Sequence, residues 1–82
     1  MKYYVFDIDG CAYCESIRIT TTENGVRKYY GYIGCYDTAY KANLAASKYL
    51  FEIQKYIDIH YGGYEYDEYR DFDEDKDYIE FV

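Results

Sequence analysis

Three thiols, one imidazole and a run of alternating carboxylates are the groups of this chain that could do chemistry. Cys11 and Cys14 stand three residues apart, and Cys35 with the single His60 brings the soft ligands to four, numerically a tetrahedral zinc set. The Cys11-x-x-Cys14 spacing also suits thiol-disulfide exchange, in which one thiolate attacks and a second thiol resolves. Against zinc, Cys35 and His60 are separated by a segment that reads as helix, so the expectation is no metal and ordinary reduced thiols. Asp71, Asp73, Asp75 and Asp77 alternate as the oxygen ligands of a calcium loop do, but Lys76 stands where that loop needs glycine and Val82 where it needs a bidentate glutamate. The one histidine has no nucleophile at a recognisable spacing, so no enzyme and no cofactor are expected.

The carboxylates matter more through their distribution. The chain has 82 residues and a net charge of -7. Residues 1–63 carry equal numbers of acids and bases, so residues 64–82 hold the whole net charge: nine acids against Arg70 and Lys76. The same segment keeps Tyr64, Tyr66, Tyr69, Phe72, Tyr78 and Phe81, which a solubilising tail has no use for. A surface of this density attracts cationic partners and repels nucleic acid. No apolar run approaches the roughly 18 residues of a membrane span, and Asp7 and Asp9 interrupt the N-terminal run, so a soluble cytoplasmic chain is expected.

Two parts must position these groups: a globular unit over 1–63 and the acidic, aromatic segment 64–82. Lys2 to Ile8 reads as a strand ended by Asp9-Gly10, Cys11 to Thr22 as a second, and Val26 to about Gly34 as a third after the Asn24-Gly25 turn. Two-residue turns put Phe6 opposite Tyr13 and Ile17 opposite Tyr32, with strand order 1-2-3. One face then gathers Phe6, Ile8, Tyr13, Ile17, Ile19, Tyr30 and Tyr32 as core, and the other shows Tyr3, Val5, Asp7, Cys14, Ser16, Arg18, Thr20 and Tyr29. Ala39, Ala42, Ala46, Leu50, Ile53 and Ile57 recur at helical steps, with Asp37 as cap and Gly62-Gly63 as the stop. The fold class is α+β: a three-stranded antiparallel sheet packed against one long helix, with an acidic C-terminal tail forming a short helix or an edge strand.

Ile33-Gly34-Cys35-Tyr36-Asp37-Thr38-Ala39, with Ala42 after it, resembles the junction of third strand and helix in plant ethylene-response-factor DNA-binding domains and their phage integrase and homing-endonuclease relatives. That resemblance implies the three-strand-plus-helix fold and a sheet that reads DNA, although the corresponding strands here offer only Arg18, Arg27 and Lys28 and no Trp. Asp7-Ile8-Asp9-Gly10-Cys11-Ala12-Tyr13-Cys14 and His60-Tyr61-Gly62-Gly63 resemble the active-site and glutathione-binding segments of glutaredoxins, which implies Cys11 as nucleophile and Cys14 as resolving thiol. That family needs a cis-proline and a helix after the second cysteine, whereas this chain has no proline and runs Ile17-Arg18-Ile19-Thr20-Thr21-Thr22. Asp7-x-Asp9-Gly10 is similar to the nucleophile strand of haloacid-dehalogenase phosphatases, and reads here as a hairpin turn.

By composition the chain resembles small acidic phage counter-defence proteins, including anti-CRISPR inhibitors and antirestriction DNA mimics. The expected function is accordingly an inhibitor or adaptor that binds the basic groove of a nuclease or CRISPR effector protein in a host bacterium's cytoplasm, with no direct nucleic acid and no membrane partner. Its expected partner-binding residues are Glu65, Asp67, Glu68, Tyr69, Asp71, Phe72, Asp73, Glu74, Asp75, Asp77 and Glu80.

Overall fold

A computed structural model describes residues 1–7, 17–22, 31–63 and 69–82 of the chain. Among these residues, β1 (Tyr3–Asp7), β2 (Ile17–Thr20) and β3 (Tyr32–Tyr36) precede α1 (Ala39–Tyr61). The strands form an antiparallel sheet with the helix packed on it, the α+β arrangement read from the sequence.

The expected strand order is corrected. β1 is the middle strand of the order β2-β1-β3 and pairs antiparallel with both neighbours. Tyr4, Val5 and Phe6 are apolar at consecutive positions and all three are buried. A strand covered on both faces reads in this way, whereas a half-covered strand alternates.

The registers change with the order. Asp7 pairs with Ile17, Phe6 with Arg18, Val5 with Ile19 and Tyr4 with Thr20. The partners of Phe6 are Arg18 and Tyr32, and the partner of Ile17 is Asp7 and not Tyr32. Cross-strand partners share a face, so β1 is inverted relative to expectation: Val5 packs with Ile17, Ala42 and Ala46 under the helix, while Phe6 joins Tyr4 in a separate cluster. For β2 the expected faces are kept, with Ile17 and Ile19 packed in the cluster beneath α1. Tyr32, placed in the core by counting, is 40% exposed. The turns Asp9-Gly10 and Asn24-Gly25, and Ile8, Tyr13, Cys14, Ser16, Tyr29 and Tyr30, lie outside the described residues.

Along β3 the partner steps from Gly34 opposite Val5 to Tyr32 opposite Phe6, one residue more than on β1. This is a β-bulge. A Cβ on Gly34 would fall 2.6 Å from the Tyr36 hydroxyl oxygen, so the Tyr36 ring covers the sheet where glycine leaves room.

Thr38, and not Asp37, caps α1: its backbone is extended and its Oγ1 accepts the Lys41 amide at 3.1 Å. Asp37 instead pairs with Lys41 Nζ at 3.1 Å, which holds its carboxyl below the usual range. At the other end the Gly62 amide donates to the Asp58 carbonyl at 3.0 Å, and Gly63 takes φ +77°. Ala42 and Ala46 are fully buried, and their small side chains let helix and sheet approach closely.

Candidate functional site

The helix has a second covered face. Asn43 and Ser47, one turn apart, are each 1% exposed, and what buries and satisfies them is the C-terminal segment. Asn43 Oδ1 accepts the amides of Phe81 at 2.7 Å and Val82 at 3.1 Å. Ser47 Oγ accepts the Ile79 amide at 2.7 Å and donates to the Asn43 carbonyl at 2.7 Å, with the Ile79 carbonyl 3.2 Å away. These bonds replace the strand ladder that an edge strand would have made. Residues 69–82 carry neither helix nor strand, only a turn at 74–76, and lie along α1 as a strap.

The strap's aromatic side chains turn inward. Tyr78 stacks on Tyr40 at 5.4 Å, Tyr69 and Phe72 meet the Phe51 ring edge to face at 5.8 and 5.6 Å, and Phe81 reaches the core beside Val5 and Ile17. The Tyr69 hydroxyl donates to Asp58 Oδ2 at 2.8 Å, and Gln54 donates to the other Asp58 oxygen at 3.0 Å. Burial first, and then the Asp58 carboxylate, pushes the Tyr69 hydroxyl's pKa upward.

Two carboxylates shape the strap from within. The Arg70 guanidinium grips both oxygens of Asp77 at 2.5 Å, and Asp77 Oδ2 also accepts the Asp73 amide at 2.8 Å. The Arg70 hydrogen bonds hold the Asp77 carboxyl down at about 2, and Asp77 in turn raises the Arg70 pKa. Asp73 Oδ1 accepts the amides of Asp75 at 2.8 Å and Lys76 at 3.3 Å, and the Asp73 carbonyl accepts the Asp77 amide at 2.8 Å. This closes a side-chain-capped turn.

The expected partner-binding residues thus divide. Asp71, Glu74, Asp75 and Glu80 are exposed, with Glu74 touched by the Tyr40 hydroxyl at 3.4 Å. The negative charge of Glu74 pushes the Tyr40 pKa upward. Asp73 and Asp77 are half-buried in the turn, and Tyr69 and Phe72 are half-buried on the helix. Glu65, Asp67 and Glu68 lie outside the described residues. Tyr69, Phe72, Tyr78 and Phe81, unexplained in a solubilising segment, are what fasten the strap. Sequence reasoning missed their receiving residues Tyr40, Asn43, Ser47, Phe51 and Asp58, and the clamp Arg70. The legible signal was Asn43 and Ser47 themselves, poor helix formers at i and i+4 in the middle of a helix.

Other groups singled out from the sequence take plainer places. Asp7 is buried under the helix, where Asp7 Oδ2 accepts the Tyr49 hydroxyl at 3.2 Å, and the Asp7 amide donates to Gly31 at 3.0 Å. Burial and then Asp7 push the Tyr49 pKa up. Cys35 is an exposed free thiol, while Cys11 and Cys14 lie outside the described residues. The rise of α1 puts Thr38 about 33 Å from His60, and the three residues from Cys35 to Thr38 can recover only about 10 Å of that. Cys35 and His60 therefore cannot share a zinc ion within one chain, and residues 17–20, where a glutaredoxin needs helix, are strand.

No family model, no curated protein and no solved structure matches the chain.

Proposed function

We propose that the protein is an acidic binding module of the phage-inhibitor type, a nucleic-acid mimic whose strap enters the basic groove of a nuclease or CRISPR effector protein. One observation carries this reading: Asp71, Glu74, Asp75 and Glu80 point outward from a segment whose amides and rings are occupied in holding α1. Carboxylates displayed on a fastened backbone meet a cationic groove without the ordering cost that a free tail would incur. Tyr69 and Phe72 then support the display, and the partner is met through the carboxylates. The activity is binding, not catalysis, and it takes place in the cytoplasm of a host bacterium. Membrane insertion is no part of it, and no helix among the described residues is long and apolar enough to cross a membrane.

DNA reading by the sheet has no observation in its favour. Tyr4 and Phe6 are buried on the sheet face away from α1, so that face is not open at its middle strand.

The test is affinity capture from bacterial extract by the immobilised full chain, followed by elution with duplex DNA. A nucleic-acid-handling protein held by the chain and released by DNA is the expected result. Partners that DNA does not displace would refute mimicry.

A further inference from the structure

Cations help to fasten the strap. Arg70 grips both oxygens of Asp77 at 2.5 Å while its guanidinium carbon stands 5.3 Å from the centre of the Phe51 ring. Lys48 Nζ stands 5.8 Å from the centre of the Phe72 ring, and Lys55 Nζ 5.8 Å from that of Tyr69. Carboxylate, ring and guanidinium suit one another, because a guanidinium can lie over an aromatic face and still present a fork of donors to both carboxylate oxygens.

At the N-terminal end of α1 the same arrangement lacks its cation. Tyr40, the second residue of the helix, is 53% exposed. Tyr78 covers one face of its ring at 5.4 Å and 20° between planes, which leaves the other face to solvent. Glu74 Oε2 accepts the Tyr40 hydroxyl at 3.4 Å. Glu74 first, then burial, and after them Tyr78 and Asp75 push the Tyr40 pKa upward, so Asp75 also stands within electrostatic reach. Among the described residues no cation stands over Tyr40 or Tyr78. Neither Glu74 nor Asp75 forms a salt bridge there, although Lys76 follows them in the chain.

We propose that Tyr40, Glu74 and Asp75 form the docking site for an arginine side chain of the partner. The incoming guanidinium lies on the open face of Tyr40 and donates to Glu74, with Asp75 adding charge, as Arg70 does within the chain on Phe51 and Asp77. Lysine fits less well, because an ammonium is a compact, strongly hydrated charge with no plane to stack and no fork to match a carboxylate. The inference rests on the binding reading above and adds a selectivity to it: the chain takes cationic grooves that present arginine.

The test is a fluorescence anisotropy titration of the full chain with two labelled peptides of equal length and charge, one alternating glycine with arginine and the other glycine with lysine. The arginine peptide should bind about threefold or more tighter. Tyr40→Leu should remove that preference by weakening the arginine peptide alone, and unchanged lysine-peptide binding shows that the strap still displays its carboxylates. Tyr40→Phe, which keeps the ring, should retain the preference. Glu74→Gln and Asp71→Asn each remove one charge, but Asp71 adjoins Phe72, whose partner Phe51 lies about three helical turns from Tyr40. Glu74→Gln should therefore weaken the arginine peptide more. Equal affinity for the two peptides would overturn the proposal, as would a preference that survives Tyr40→Leu or equal effects of Glu74→Gln and Asp71→Asn. Mimicry fails separately: captured partners that DNA does not displace leave the arginine site standing, and equal peptide affinities leave displacement by DNA untouched.

Discussion

Two amides of the strap, those of Phe81 and Val82, end on one oxygen, Asn43 Oδ1. Asn43→Ala removes the acceptor at a site that is 1% exposed, leaving both donors without a partner. The expected cost is about 2 kcal/mol, or a melting midpoint roughly 10 °C lower, read by thermal denaturation. An unchanged midpoint would mean that water serves these amides equally well and that the strap is not held there. Asp77 gives a second residue-level prediction, with pH as the variable. Its folded pKa, near 2, lies below the ordinary carboxylate value of about 3.9. The contribution of the Arg70 clamp is therefore complete above the unfolded value and is lost as pH falls through the folded one. Resonances of Tyr69 and Phe72 followed by nuclear magnetic resonance should show strap release between about pH 4 and pH 2, a step that Asp77→Asn abolishes. Release centred near neutral pH would contradict the assignment.

At the level of elements, the helix was legible nearly to its ends, because Ala42, Ala46, Leu50, Ile53 and Ile57 keep one period and Gly62-Gly63 stops it. The cap fell one residue away. Asp37 and Thr38 are both good cap residues, and only backbone geometry shows that Thr38 occupies the position while Asp37 pairs with Lys41. The strands were legible as strands, but their order and the faces of β1 were not. Counting through short turns assumes that chain neighbours pair, and it cannot detect a strand buried on both sides, whose composition carries no period. The strap was legible only as charge and aromatic content, because side-chain acceptors on a helix leave no periodic trace in the segment they bind. The strap is also part of what covers the helix. A chain ending at Gly63 should lose stability and helical circular dichroism, because Phe51 loses Tyr69 and Phe72 while Asn43 and Ser47 lose their amide partners. Full stability of that shorter chain would show that the strap merely rests on α1.

Over the whole molecule, residues 1–63 have no net charge and residues 64–82, which end in the strap, hold all of it. Truncation confounds charge with stability, so the decisive variant keeps the strap in place and removes only its outward charge. Asp71→Asn, Glu74→Gln, Asp75→Asn and Glu80→Gln together spare the Arg70-Asp77 clamp and the Asp73 turn. They should leave the stability within about 1 kcal/mol of the original. The measurement that tests the central claim most directly is a competition titration. A partner captured from extract is bound to labelled duplex DNA, and the DNA is displaced by the chain or by the fourfold neutral variant. The account predicts displacement by the chain, weakened by added salt, and a loss of about tenfold or more in the variant. Equal displacement by the two would contradict it.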